Sequence, residues 1–275
     1  IKSRKKVNLS PWKKITKAVL NNKRTVNIAI IGKYVELKDA YKSLDEALTH
    51  GGISNNLKVN LVRIESDFLK PKDVKDKLKG VSGILIPGGF GKRGTEGKIA
   101  AVNYARNNKI PFFGICFGMQ MAVIEFAKNM LKIKNAGSTE LNKNCYPIIG
   151  LMNEWNKGKK VFAGTDKKLG GTMRLGIYRA KLNHNSLVQK IYKNQYINER
   201  HRHRYEVNNS LRKKFENKGM IFSGMSPDGK LPEIIEIANH PWFIGVQFHP
   251  EFKSRPLKPH PLFSSFIKAS NDNNK

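Results

Sequence analysis

Cysteine is nearly absent from this chain, with only Cys116 and Cys145 among 275 residues. Two cysteines exclude a disulfide framework and point to a reducing, cytoplasmic setting. Acidic residues are also scarce: 21 Asp and Glu stand against 51 Lys and Arg, a formal net charge of +30. No apolar run reaches the roughly 18 residues that a membrane-spanning helix needs, so no membrane partner is expected. The basic N-terminus, IKSRKKVNLSPWKK, lacks the apolar core of a signal peptide, and it opens without methionine, as a piece of a longer protein does. There is no internal repeat, no low-complexity segment and no Gly-x-x-x-x-Gly-Lys-Ser/Thr loop, hence no ATP cradle of that kind.

The excess of positive charge has two readings. One is a polyanionic partner, nucleic acid or nucleotide phosphate. The other is a Lys- and Asn-rich composition spread over solvated faces. The lysines are dispersed, as in KPKDVKDKLKG and NKGKK. No zinc-finger, recognition-helix or aromatic RNA-binding signature accompanies them, so no nucleic-acid partner is expected.

Residues 1–24 carry nine Lys or Arg and no carboxylate. They read as a linker with a short docking helix, with Ser10 as its cap and Pro11 in its first turn. An alternating pattern follows. Strands are predicted at 26–32, 57–64, 81–87 and 110–115. Helices are predicted at 38–52 (Ala40, Leu44, Ala47 and Leu48 on one face, Gly51 as its C-cap), 96–108 and 117–131. Such alternation implies an α/β fold with a mostly parallel, doubly wound sheet flanked by helices, which places ligands at the C-terminal strand ends. The second half is richer in strands, in GTMRLGIYRAKL, RHRHRYEV, GMIFSGM, PEIIEIA and FIGVQF, and closes with a helix at PLFSSFIKA.

Three motifs carry chemistry. GICFGMQ (114–120) sets Cys116 between a strand and a helix, flanked by Gly114 and Gly118. This is the layout of a nucleophile elbow, whose sharp turn needs small neighbours. The helix N-terminus favours the thiolate there. The plainer reading is a buried, inert cysteine, and Cys145, in LNKNCYPIIG, has only that reading. GVQFHPEF (245–252) offers a base, His249, and a carboxylate to orient it, Glu251, on the same side of an extended strand stiffened by Pro250. Taken alone, His-Pro-Glu is also a surface turn. IPGGFGKRG (86–94) is a glycine-rich loop after a strand whose N–H groups can approach an oxyanion. A phosphate loop or a plain turn reads the same way. In RHRHR, His201 and His203 could pair on a metal, but no third ligand stands at usable spacing, so no metal is expected.

In this order the motifs resemble those of the class I (triad) glutamine amidotransferases. GKYVELKDAYKSLDEAL, PGGFGKRGTEGKI, GGTMRLG, ERHRHRYEVNN and NHPWFIGVQFHPEFKSRP narrow the resemblance to the glutaminase half of the CTP synthase family, from about Val26 to Ala269. The resemblance implies a flavodoxin-like amidotransferase domain over 25–275, with 1–24 joining it to a synthetase half that is absent. It implies Cys116 as the nucleophile forming a γ-glutamyl thioester, His249 as base and acid, and Glu251 as its orienter. It implies the N–H groups of Gly89 and Phe117 as the oxyanion hole, with Phe where the family usually has Leu, a change expected to leave the backbone hole intact and to bear, if anywhere, on the pocket wall. Gly88, Gln120, Glu140 and Arg204 would bind L-glutamine, Glu140 at its ammonium and Arg204 at its carboxylate. Phe90 and Arg174 would lie near an activating GTP. No cofactor is implied in this domain. ATP and Mg2+ would act in the synthetase half, and the full-length protein would be a homo-oligomer, a tetramer.

Overall fold

The computed structural model describes residues 7–22, 24–35, 37–151 and 173–273. Twelve strands occur among them. They are β1 (Thr25–Gly32), β2 (Lys58–Glu65), β3 (Gly83–Ile86), β4 (Phe112–Ile115), β5 (Ala136–Ser138), β6 (Tyr146–Leu151), β7 (Arg174–Leu182), β8 (Tyr196–His203), β9 (Tyr205–Val207), β10 (Met220–Met225), β11 (Pro232–Ile237) and β12 (Phe243–Val246). The α-helices are α1 (Ser10–Asn21), α2 (Lys42–Ser54), α3 (Val74–Lys77), α4 (Thr95–Asn107), α5 (Phe117–Asn129), α6 (Leu187–Tyr192), α7 (Arg212–Glu216) and α8 (Pro261–Asp272).

Nine strands form one sheet in the order β2-β1-β3-β4-β12-β11-β10-β7-β8, and β5-β6-β9 form a small second sheet. The doubly wound arrangement expected from the alternation is present. Its parallel character covers β2 through β12, and the pairs from β12 to β8 are all antiparallel. The sheet is thus mixed, because the strand-rich second half adds hairpins to one edge rather than βαβ units.

The period of two in β1 divides the core. Val26, Ile28 and Ile30 pack with α2 and α8, whereas Ala29 and Ile31 pack with α4 and α5. Helices on both faces leave the central strands dry, which explains their unbroken apolar runs. Phe113 of β4 anchors α8: Trp242, Phe263 and Phe266 surround its ring at centroid distances of 5.4, 5.3 and 5.7 Å. Each such buried side chain contributes about 1.5–3 kcal/mol, so the strand leading to Cys116 is held firmly from below.

Several local expectations are corrected. Leu9, not Ser10, occupies the N-cap of α1, and Asn8 Oδ1 accepts the Ser10 N–H at 3.0 Å. The helix expected at 38–52 splits into a 3₁₀ turn, Lys38–Tyr41, and α2, and the turn leaves Ala40 exposed. Gly51 lies inside α2 rather than capping it. A Cβ there would stand 2.8 Å from the Phe263 carbonyl oxygen, so its role is close packing against α8. The strand expected to run to His249 ends at Val246. The short helices α6 and α7 and the strands β5 and β6 carried no clear period. The first residues of the GGTMRLG segment, and 1–6 of the expected linker, lie outside the described residues.

Candidate active site

The three motifs meet because β3, β4 and β12 are neighbours and parallel. Their C-terminal ends therefore release the glycine loop, Cys116 and His249 at one edge of the sheet. Val246 pairs with Ile115, and the Cys116 N–H donates to the Val246 carbonyl at 2.7 Å. The register of two strands thus fixes where His249 meets Cys116.

Cys116 caps α5 with φ +50° and ψ −102°, a positive-φ conformation that an L-residue with a side chain adopts at a cost of about 1–3 kcal/mol. The glycines on either side permit this turn. A Cβ on Gly114 would sit 2.8 Å from the Gly118 carbonyl carbon and oxygen, and one on Gly118 would sit 2.1 Å from the Ile86 oxygen. Cys116 is 3% exposed.

His249 Nδ1 lies 2.7 Å from Glu251 Oε1. The pairing differs in kind from the extended one expected: Pro250–Lys253 form a 3₁₀ turn, and the turn brings Glu251 back to the ring. Burial alone would lower the pKa of His249. Hydrogen bonds to Cys116 and Glu251, reinforced by their charges, override it and raise the pKa to about 10. The imidazole therefore holds a proton at neutral pH and faces the sulfur with it.

Two cavities flank Cys116. One, of about 300 Å³, is bounded by Lys33, Gly88, Phe90, Arg202, His249 and Phe252. The other, of about 320 Å³, brings Gln120, Glu140 and Arg204 together with Gly89 and Phe90. These three expected substrate contacts come from three separate segments, and all line the second cavity. Burial raises the pKa of Glu140, while the Gly91 N–H (2.9 Å) and Lys33 oppose the rise. Gln120 Nε2 donates to the Tyr205 carbonyl at 3.1 Å, so its amide is tied to the wall.

Within the glycine loop the steric demand falls on Gly88, whose added Cβ would stand 2.8 Å from His249 Cε1. Gly89 would tolerate one, its nearest neighbour being 3.9 Å away on Phe117. The Phe117 ring belongs to the apolar core rather than to either cavity wall, so the change from Leu leaves those walls untouched. Phe90 is exposed and reaches both cavities.

Arg174 lines neither cavity, although His203, packed beside it, lines the second. The Arg174 guanidinium is buried and donates to Glu206 (3.1 Å) and Glu233 (2.7 Å). His201 and His203 belong to the same cluster, with Nδ1 of one 2.8 Å from Nε2 of the other. Burial, with the charge of Arg174 second, depresses their pKa values to about 2 and about 3. Both rings are neutral spacers, and among the described residues no group of three or more His, Cys, Asp or Glu could hold a metal ion. Gln247 is a contact the motif reading missed: its Nε2 lies 3.7 Å from Cys116 Sγ. The signal was a lone amide inside an apolar run.

Among the described residues no helix is long and apolar enough to cross a membrane. A family model described as "Glutamine amidotransferase class-I" matches residues 36–269. The chain is 73% identical over 270 residues to a CTP synthase of Pelagibacter ubique, covering 98% of this chain and 50% of that protein. It is 55% identical over 274 residues to a CTP synthase of Rhizobium johnstonii, with the same coverage. The chain thus spans about half the length of these relatives. Among solved structures, the glutaminase domain of Trypanosoma brucei CTPS with bound acivicin superposes with a TM-score of 0.80 at 34% identity, covering 90% of this chain and 94% of that one. The chain belongs to the class I glutamine amidotransferases, in the branch formed by the glutaminase domains of CTP synthases.

Proposed function

We propose that this chain hydrolyses L-glutamine and that, in the full-length protein, the ammonia released aminates UTP to CTP at the expense of ATP. The observation that carries this reading is His249 set between Cys116 and Glu251 at the ends of adjacent parallel strands. The Cys116 sulfur adds to the amide carbon of glutamine. The carbonyl oxygen becomes an oxyanion and takes the N–H groups of Gly89 and Phe117. His249 delivers its proton to the amide nitrogen, the C–N bond breaks, and ammonia leaves a γ-glutamyl thioester behind. Water then attacks the thioester as His249 takes its proton. The C–S bond breaks, the thiol is restored and glutamate departs. Arg204 and Glu140 hold the α-carboxylate and α-ammonium at the far end of the cavity.

ATP and Mg2+ act in the other half, to which α1 is the docking helix. None of the residues of α1 is buried. For an activating GTP, Phe90 offers an exposed ring, whereas the guanidinium of Arg174 is engaged by two carboxylates. The test is Cys116→Ala in the full-length protein, assayed for CTP with either glutamine or an ammonium salt. The variant loses glutamine-dependent synthesis and keeps the ammonia-dependent rate. Retained glutamine activity overturns the assignment of Cys116, and loss of both activities in folded protein makes Cys116 structural.

A further inference from the structure

Lys33 follows the last residue of β1 and is 8% exposed, unusual for a lysine. Its ammonium donates to the Phe90 carbonyl and, at 3.0 Å, to the Gly91 carbonyl. The N–H of Gly91 points the opposite way and donates to Glu140 Oε1 at 2.9 Å. One peptide group, between Phe90 and Gly91, is therefore held by a cation at its oxygen and an anion at its nitrogen. Both interactions are charge-assisted, and both act on the same peptide dipole. The Lys33 ammonium also stands 5.9 Å from the centroid of the Phe117 ring, with the buried Lys98 ammonium at 6.0 Å.

From this geometry we propose that Lys33 is a positioning residue for the oxyanion hole. It fixes the Phe90–Gly91 peptide against Glu140 and so aims the N–H of the adjacent Gly89. The inference rests on the proposed glutaminase chemistry and names a residue that the three motifs do not contain. Gly91 has no side chain to pack and sits at φ +71°, and the nearest atom to a Cβ built there is Lys33 Nζ at 4.0 Å. The clamp supplies the missing constraint. The same carboxylate that grips the loop is the one placed to receive the α-ammonium of the substrate. Occupancy of the glutamine site and the aim of the hole are thereby joined through a single peptide group.

The test compares Lys33→Met and Lys33→Gln with wild type in the full-length protein, with Cys116→Ala alongside. A lost hole donor or a displacement near 1 Å lowers turnover by about 10²-fold. The expected result is a fall in kcat for glutamine of about 10- to 100-fold in Lys33→Met, with a smaller fall in Lys33→Gln, which keeps an N–H donor. KM stays within about twofold, because the uniform binding contacts remain. Inhibition by glutamate γ-semialdehyde, whose thiohemiacetal oxygen needs the hole, weakens in step with kcat. Alkylation of Cys116 by iodoacetamide, which needs no hole, keeps its rate. Wild-type kcat in both variants overturns the inference. So does a loss confined to KM, a parallel loss of iodoacetamide reactivity, or failure of both variants to fold. If wild type shows no Cys116-dependent glutamine hydrolysis, the proposed function fails and takes this inference with it. If that dependence holds while the Lys33 variants match wild type, this inference alone fails.

Discussion

Gly118 lies against the Ile86 carbonyl so closely that a Cβ would stand 2.1 Å from the oxygen. The contact joins the first turn of α5 to the end of β3, the strand that feeds the glycine loop. Gly118→Ala must therefore push helix and strand apart or tilt the helix. Overpacking of this kind costs about 1–3 kcal/mol, more where the obstacle is backbone. The expected outcome is a lower urea midpoint together with loss of glutaminase activity well beyond that of a surface variant. Wild-type stability and activity in Gly118→Ala would show that the elbow is looser than its geometry.

Arg204 and Glu140 face one cavity with Cys116, as recognition of an α-amino acid demands. Arg204→Lys keeps the charge and loses the planar fork. Glutamine kcat/KM should fall by the worth of a charge-assisted hydrogen bond, about 1.5–3 kcal/mol. The measurement is steady-state hydrolysis over a range of glutamine concentrations. Unchanged kinetics remove Arg204 from the substrate site.

The buried cluster around Arg174 makes a prediction about stability. Arg174→Ala leaves Glu206 and Glu233 without their cation in the interior, a loss of up to about 3–5 kcal/mol once both carboxyls are ionised. Burial already pushes both carboxyls upward, and Arg174 is the main influence opposing it. Without Arg174 they take up protons. The deficit therefore grows as pH rises through about 8, where Glu206 of the wild-type fold gives up its proton beside Arg174, and is smaller at pH 5, where that carboxyl is already neutral in the fold. Urea melts of wild type and variant at pH 5 and pH 8 measure this. An equal deficit at both values would mean that lost packing, not charge, explains it.

His249 gives the opposite pH signature. Its pKa is raised in the fold to about 10, against about 6.5 in an unfolded chain. A raised pKa contributes stability that is full below about pH 6.5 and is lost as pH climbs toward 10. The advantage of wild type over His249→Asn should therefore be largest near pH 6 and decline steadily in alkali. Denaturant midpoints of both proteins across that window check it. An advantage that grows with pH would mean that the folded imidazole is neutral.

The elbow was legible in the sequence because a sharp turn at Cys116 demands small neighbours: Gly114 meets the backbone of Gly118 one turn on, and Gly118 meets the Ile86 carbonyl at the end of β3. His249 and Glu251 were legible as a pair, but their geometry was misread, since Pro250 starts a 3₁₀ turn instead of continuing the strand. Lys33, Lys98, Glu206 and Glu233 could not be placed. A charged residue reads as solvated until its partner is known, and these partners lie 32 to 59 positions away. Gly51 was assigned to a helix end for the same reason, because the helix it touches begins at Pro261. The antiparallel edge was hidden too: strand runs show that strands exist, but not which neighbour each will choose.

β12 enters the sheet between β4 and β11 and comes late in the chain. During synthesis, β4 and the helix that Cys116 caps exist long before their partner. Until Phe243–Val246 arrive, β4 offers a bare row of peptide groups at the rim of a half-built sheet, on a strand made of Phe112, Phe113, Gly114 and Ile115. A nascent chain at that stage carries the Cys116 sulfur without His249 beside it. It is also at its most adhesive, since an open apolar edge pairs with any extended segment nearby. The strand that seals this edge leads directly to His249, so the same segment closes the sheet and carries the imidazole to the sulfur.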